Sequence, residues 1–159
     1  MTRSARHSEA PPLTVIGARA ALAAGTSSAV ELARTALARA DSAAAAAVFI
    51  GLRREPAMEE ARESDALRRA GSAHGVLAGI PVSVKDLFDV AGEVTAAGSA
   101  VLAQGTPAAR DAAAIERLRG AGAIILGRTN MTELAFSGLG LNPHFGTPRN
   151  PAAAGEARI

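Results

Sequence analysis

The chain has 159 residues, 48% of them apolar and 20% charged, with a formal net charge of +2. Those are the proportions of one soluble globular domain, long enough to bury about 70% of its unfolded surface without a staple. With no cysteine it has no disulfide framework, thiolate zinc site or thiol nucleophile, which fits a reducing, cytoplasmic compartment. Four Phe with no Trp or Tyr offer few platforms for stacking bases, and +2 is too small a charge to call for a polyanionic partner.

One count stands apart. Of 17 cationic side chains 16 are arginine, and the only lysine is Lys85. Alanine fills 40 of the 159 positions, so a drift toward Ala and Arg accounts for scarce lysine but not for the one that remains.

Taken in chain order, Met1 to Ala24 carries Arg3, Arg6, Pro11, Pro12 and Arg19, a poor signal peptide, and residues 1–12 are expected to be a disordered tail. Leu13 to Ala24 reads as an apolar helix closed by Gly25. Ser28 and Glu31 then form a capping box, opening a helix whose stripe is Val30, Ala33, Leu37 and Ala40. The uncharged run Ala43 to Leu52 is about half the ~20 residues a membrane span needs, and within it Val48-Phe49-Ile50 is a short strand candidate. Pro56 opens the next helix, in keeping with proline's preference for a first turn.

From about Gly75 the texture changes. Val82 to Lys85 is a β-branched strand, and a Gly- and Thr-rich loop covers Ala91 to Ser99. Asp111 is expected to cap a helix through Arg119 that Gly120 and Gly122 end. Ala123 to Leu126 is a continuous apolar strand of the fully buried type. Thr129 is expected to cap a helix over Met131 to Phe136 that stops at Gly138, and the Pro-rich remainder is loop. Strand, helix, strand and helix in that order predict an α/β fold with a parallel or mixed sheet, preceded by a helical segment: helical over 13–74, strand and helix over 75–140, loop over 141–159.

Several common sites fail on inspection. Lys85 lies between Val84 and Asp86, not in a Walker loop, and Pro143 stands where a dinucleotide fingerprint starting at Gly138 needs its third glycine. His7, His74 and His144 are scattered, so neither a metal nor a cofactor is expected. A Ser-His-acid triad through His74 or His144 lacks the usual serine elbow but stays open.

Lys85 ends an apolar strand, at the edge where open α/β sheets place their ligands. Strand alternation turns Ser83 and Lys85 to one face and Val84 and Asp86 to the other, so the neighbouring carboxylate need not neutralise the lysine. A lysine emerging from apolar surroundings can be held neutral and accept a proton, as a serine hydrolase without histidine requires; otherwise it reaches out to solvent.

Four blocks in order carry a resemblance: Gly79-Ile80-Pro81-Val82-Ser83-Val84-Lys85-Asp86, Ala97-Gly98-Ser99, Gly127-Arg128-Thr129-Asn130-Met131-Thr132-Glu133, and Asn142 to Pro151. From about Leu13 onward the chain resembles the amidase signature family. The resemblance implies an α/β sandwich around a large mixed sheet and hydrolysis of a small-molecule amide by a Ser-cisSer-Lys triad; composition, charge and the lack of a long apolar run lead to the expectation of neither nucleic acid nor membrane as partner. Lys85 matches the lysine that deprotonates the bridging serine. Ala135, Phe136, Ser137 and Gly138 match a stretch that lines the acyl pocket, partly through its backbone; read locally, they are a helix end with a Gly stop. Thr129, Asn130 and Glu133 are expected to fix the loop, and Arg128 stands where relatives often carry lysine, a position expected to accept either cation.

The family's Gly-Gly-Ser-Ser loop, which bears the bridging serine and the oxyanion-hole amides, belongs after Arg158-Ile159, and the nucleophilic serine further on. Ser83, Ser99 and Ser137 occupy neither position. The expectation is therefore an N-terminal portion of one amidase domain, truncated before its serines, inactive alone, with an incomplete sheet whose free edge invites self-association. The alternatives are a non-enzymatic remnant or interaction module, a split enzyme completed by a second chain, and an ammonia-releasing subunit of a tRNA-dependent amidotransferase. The mild charge favours a general amidase over the last.

Overall fold

The computed structural model describes residues 14–73 and 75–150; the expected tail over 1–12, the loop over 151–159 and both His7 and His74 lie outside these. Among the described residues four helices, α1 (Val15–Ala23), α2 (Ala29–Ala40), α3 (Arg54–Arg69) and α4 (Ala113–Gly120), accompany three strands, β1 (Phe49–Leu52), β2 (Pro81–Lys85) and β3 (Ile124–Thr129). The sheet order is β1-β3-β2, with β1 antiparallel and β2 parallel to β3. The fold is thus α/β with a mixed sheet, as expected.

The local signals act as read where they are self-contained. The capping box of α2 is complete, with Ser28 Oγ accepting from Glu31 N while Glu31 accepts from Ser28 N at 2.8 Å; Thr14, expected inside the first helix, instead caps it. The bond from Ser28 N holds the Glu31 carboxyl below its ordinary value. The sequence does not reveal that Asp65, on α3, accepts from Ala29 N at 2.8 Å and Val30 N at 3.2 Å. Between them Ser28, Glu31 and Asp65 satisfy the N–H groups of residues 28–31, which a helix start otherwise leaves without partners.

β3 separates two apolar layers. Ile124 and Leu126 face α1, α2 and α3, joining Leu22, Leu32, Leu37 and Ile80; Ile125 faces the other way, with Val84, Val90 and Ile115 of α4. Burying each such isoleucine stabilises the fold by roughly 1.5–3 kcal/mol. Ala29 and Ala33 of α2 and Ala57 and Ala61 of α3 are fully buried, so alanine works here as an interface residue that lets two helices approach closely. Gly127 does the same for strands: a Cβ there would lie 2.3 Å from the Gly51 carbonyl oxygen of β1.

Three expectations are corrected. Asp111 does not cap α4, which starts after Ala112 without a side-chain cap; its carboxylate instead accepts from Ala91 N at 2.7 Å and Arg119 Nε at 2.8 Å. Thr129 is not a helix cap, because β3 runs on through Gly127, Arg128 and Thr129. No α-helix follows over Met131 to Phe136: there is one short turn, Glu133–Ala135, in which Leu134 (φ 54°) and Ala135 (φ 57°) are left-handed. Hydrogen bonds to neighbouring loops, described next, outweigh the helical propensity of that stretch.

Candidate functional site

Lys85 is the last residue of β2, with its Cα opposite Thr129 of β3. The alternation holds: Ser83 and Lys85 are exposed, whereas Val84 is 3% and Asp86 0% exposed. The lysine is exposed, and no carboxylate among the described residues pairs with it. Any desolvation of this amine has to come from whatever covers that face.

Asp86 is fully engaged on the opposite side. Its carboxylate accepts from Arg128 Nε at 2.8 Å, Gly98 N at 3.0 Å and Ala96 N at 3.3 Å. Arg128, only 5% exposed, also donates from Nη2 to the Phe88 carbonyl and to Thr95 Oγ1, both at 3.0 Å, and places Nη1 3.7 Å from Glu93. These are the contacts of a planar fork; one ammonium cannot make all of them. The expectation that this position accepts either cation does not include these fork contacts, and the sequence alone gives Asp86 no role. The available signal is an arginine inside an apolar strand, which needs a counter-ion when buried.

Beyond β3, two asparagines fix the loops. Asn130, expected to hold the loop, donates from Nδ2 to the carbonyls of Ala47 at 3.0 Å and Gly146 at 2.8 Å. Asn142, to which the sequence alone assigns no role, is buried; Nδ2 donates to the carbonyls of Gly98 and Met131 at 2.7 Å each, and Oδ1 accepts from His144 N and Phe145 N. Gly98 (φ 69°) leaves room for this: a Cβ would stand 2.6 Å from the Met131 carbonyl oxygen.

Glu133 links the same loops through its side chain. A hydrogen bond from Ser99 first, and one with His144 Nε2 at 3.3 Å second, hold its carboxyl below the ordinary value. Thr129 Oγ1 lies 3.5 Å from the Val84 carbonyl. After Glu133 the chain lifts away from the body. Ala135, Phe136, Ser137 and Gly138 are all exposed, with Leu134 at 62% and Phe136 at 94%, and Ser137 Oγ accepts from Leu139 N at 3.2 Å. This segment is not the helix end that the local reading allowed.

Lys85, the strand ends and the 133–138 turn thus share one end of the sheet, formed by loops that follow β2 and β3. A cleft of about 380 Å³ lined by Ile16, Arg19, Arg68 and Val76 lies elsewhere, between α1 and the approach to β2. Among the described residues no group of three His, Cys, Asp or Glu is placed to hold a metal ion, and no helix is long and apolar enough to cross a membrane.

Known proteins are similar to this chain in sequence and fold. A glutamyl-tRNA(Gln) amidotransferase subunit of Cupriavidus taiwanensis is 44% identical over 136 residues, covering 86% of this chain and 27% of that protein. Its counterpart of the same name in Bordetella avium is 42% identical over 151 residues, covering 95% and 29%. Among solved structures, a vestigial protein complex bearing on the origins of an s-triazine catabolic enzyme superposes with TM-score 0.83 at 35% identity, over 88% of this chain and 31% of that one. Native peptide amidase from Stenotrophomonas maltophilia gives 0.76 at 34%, over 87% and 30%. The chain therefore spans under a third of the length of each of these proteins. The amidase family model matches residues 31–157, a stretch that contains β2 with Lys85, β3 and both asparagine-braced loops: the chain belongs to the amidase family.

Proposed function

We propose that this chain contributes the proton-accepting lysine and part of the acyl pocket to an amide-hydrolysing site, and that two serines outside these residues complete it. The supporting observation is the position of Lys85: the amine stands exposed at the loop end of the sheet while the adjacent Asp86 carboxylate is committed to Arg128 on the other face. In the completed site Lys85 Nζ takes the proton of a bridging serine. That serine takes the proton of the nucleophilic serine, whose Oγ attacks the amide carbonyl. The protons return along the same path to the leaving nitrogen, ammonia or an amine departs, and water attacking the acyl-serine releases the acid. Residues 135–138, held out by the turn at Leu134, border the acyl group. The open edge of β2 receives the remainder of the sheet and is a surface for self-association until it does. A cytoplasmic site of action fits the cysteine-free composition.

The test is ammonia release from small amides by the chain alone and after mixing with the C-terminal portion of an amidase relative. No turnover is expected alone, turnover is expected on mixing, and Lys85→Arg is expected to abolish it because a guanidinium does not give up its proton near neutrality. Turnover that survives Lys85→Arg refutes the assignment. A second reading, glutamine hydrolysis as the ammonia-releasing part of an amidotransferase, is favoured by the amidotransferase relatives at 42–44% identity and set against the mild net charge. Glutamine preferred over simple aliphatic amides in the mixed assay selects it.

A further inference from the structure

We propose that Arg128 is a positioning residue for Lys85: its guanidinium brackets the turn that follows the lysine and thereby fixes the end of β2 from which the amine projects. This deepens the reading of Lys85 as the proton acceptor and rests on it.

The peptide joining Lys85 to Asp86 has both polar atoms engaged. The Lys85 carbonyl accepts from Leu87 N at 2.6 Å and Phe88 N at 3.2 Å, and Asp86 N donates to the Thr129 carbonyl at 3.1 Å. That turn has two further handles, the Asp86 carboxylate and the Phe88 carbonyl, and Arg128 holds both, from Nε and Nη2. A third bond from Nη2, to Thr95, fastens the loop that also supplies Ala96 N and Gly98 N to Asp86. Arg128 is adjacent to Thr129, which lies opposite Lys85, so one side chain locks both strand ends from the face that the lysine does not use.

Behind Arg128 lies a run of alternating charges, which its Nη1 meets at ion-pair distance without a hydrogen bond. Glu93, 3.7 Å from Nη1, receives Arg53 Nε at 2.7 Å; Arg53 reaches Glu60 at 3.2 Å, Glu60 reaches Arg119 at 2.9 Å, and Arg119 reaches Asp111 at 2.8 Å. Acid and base alternate without a break from Asp86 to Asp111, linking the turn after Lys85 to α3 and α4. The Asp86–Arg128 pair at the head of this chain of charges is excluded from water and has little freedom to change partners, so it holds a geometry and does not merely supply charge.

Because Lys85 is the only lysine, labelling with [13C,15N]lysine makes it the only labelled residue in the spectrum. Its backbone amide, Cα and Cε shifts are to be compared in wild type, Arg128→Lys, Arg128→Met and the paired change Asp86→Asn with Arg128→Met. Asp65→Asn, remote from the turn, serves as a variant that loses stability without touching it. The Lys85 signals are expected to move in Arg128→Lys and further in Arg128→Met, by more than in Asp65→Asn. If the single Met variant does not fold, Arg128→Lys and the paired change, which leaves no ion unpaired, carry the test. Lys85 signals at their wild-type positions in folded Arg128→Lys, or displaced no more than in Asp65→Asn, overturn the proposal. The readout needs no turnover, so hydrolysis that survives Lys85→Arg overturns the proton-acceptor reading separately.

Discussion

Asp65 is the most exposed point in the logic of the helical layer, because a single carboxylate on α3 serves the start of α2. Its two bonds, 2.8 Å to Ala29 N and 3.2 Å to Val30 N, satisfy N–H groups next to a residue with no contact with water. Asp65→Ala removes both acceptors and leaves one amide buried and one part-buried. A hydrogen bond to a charged group contributes ~1.5–3 kcal/mol, and a stranded buried donor costs in the same range. A carboxylate at a helix N-terminus adds ~0.3–1 kcal/mol. Since Ser28 and Glu31 still hold the other two amides, the two losses overlap, and a total of about 3 kcal/mol is expected. For a chain of this length that lowers Tm by roughly 6–12 °C. Asp65→Asn keeps one acceptor oxygen but turns an NH2 toward the other amide, and is expected to cost about half as much. Urea denaturation followed by far-UV circular dichroism gives the comparison. An Asp65→Ala variant within about 0.5 kcal/mol of wild type, the range of an ordinary surface change, refutes the claim that α3 caps α2.

Gly127→Ala places a methyl 2.3 Å from the Gly51 carbonyl oxygen, so β1 has to separate from β3; a loss of about 1–3 kcal/mol or more is expected, with hydrogen-exchange protection falling first at the β1 amides. Asn142→Asp sets a carboxylate against the carbonyls of Gly98 and Met131; it is expected to destabilise by about 3 kcal/mol at neutral pH and less in acid, read from paired thermal melts. Glu133 contributes stability above its ordinary value of 4.5 and loses it as pH falls through its lower folded value, so Glu133→Gln is expected to show a smaller drop in Tm between pH 6 and about pH 3 than wild type.

What the sequence makes legible is what is decided locally or by repetition. The Ser28–Glu31 box involves residues three apart, and Ile124-Ile125-Leu126 needs only its own apolarity to be a buried strand. Lys85 can be singled out by counting and placed by alternation. Several of the misreadings share a cause: a polar side chain whose partner lies beyond the reach of a local motif. Arg128 ends an apolar run on paper, yet the strand continues through it because Asp86, 42 residues earlier, neutralises it. Asp111 resembles a cap until Arg119 and Ala91 claim it. Met131 to Phe136 has helical propensity, but Asn130 and Asn142 tie its start to three other segments. The stretch 135–138, proposed above to border the acyl group, is suggested by family likeness, and the left-handed turn before it has no signature in residues as ordinary as Leu134 and Ala135.

The order of the strands has a consequence for how the chain acquires its shape during synthesis. β3 is the middle strand of the three and the last to be made, and β1 and β2 pair with it but not with each other. No pair among these strands can therefore form until Thr129 has left the ribosome, whereas α2 and α3, joined through Asp65, can associate as soon as both have emerged. For the time needed to translate from Arg69 to Thr129 the nascent protein is a helical pair with an uncovered apolar face and an unpartnered β1, joined from Lys85 onward by an unpartnered β2. That interval is where a holding chaperone would act, and where slowed translation would raise the yield lost to aggregation.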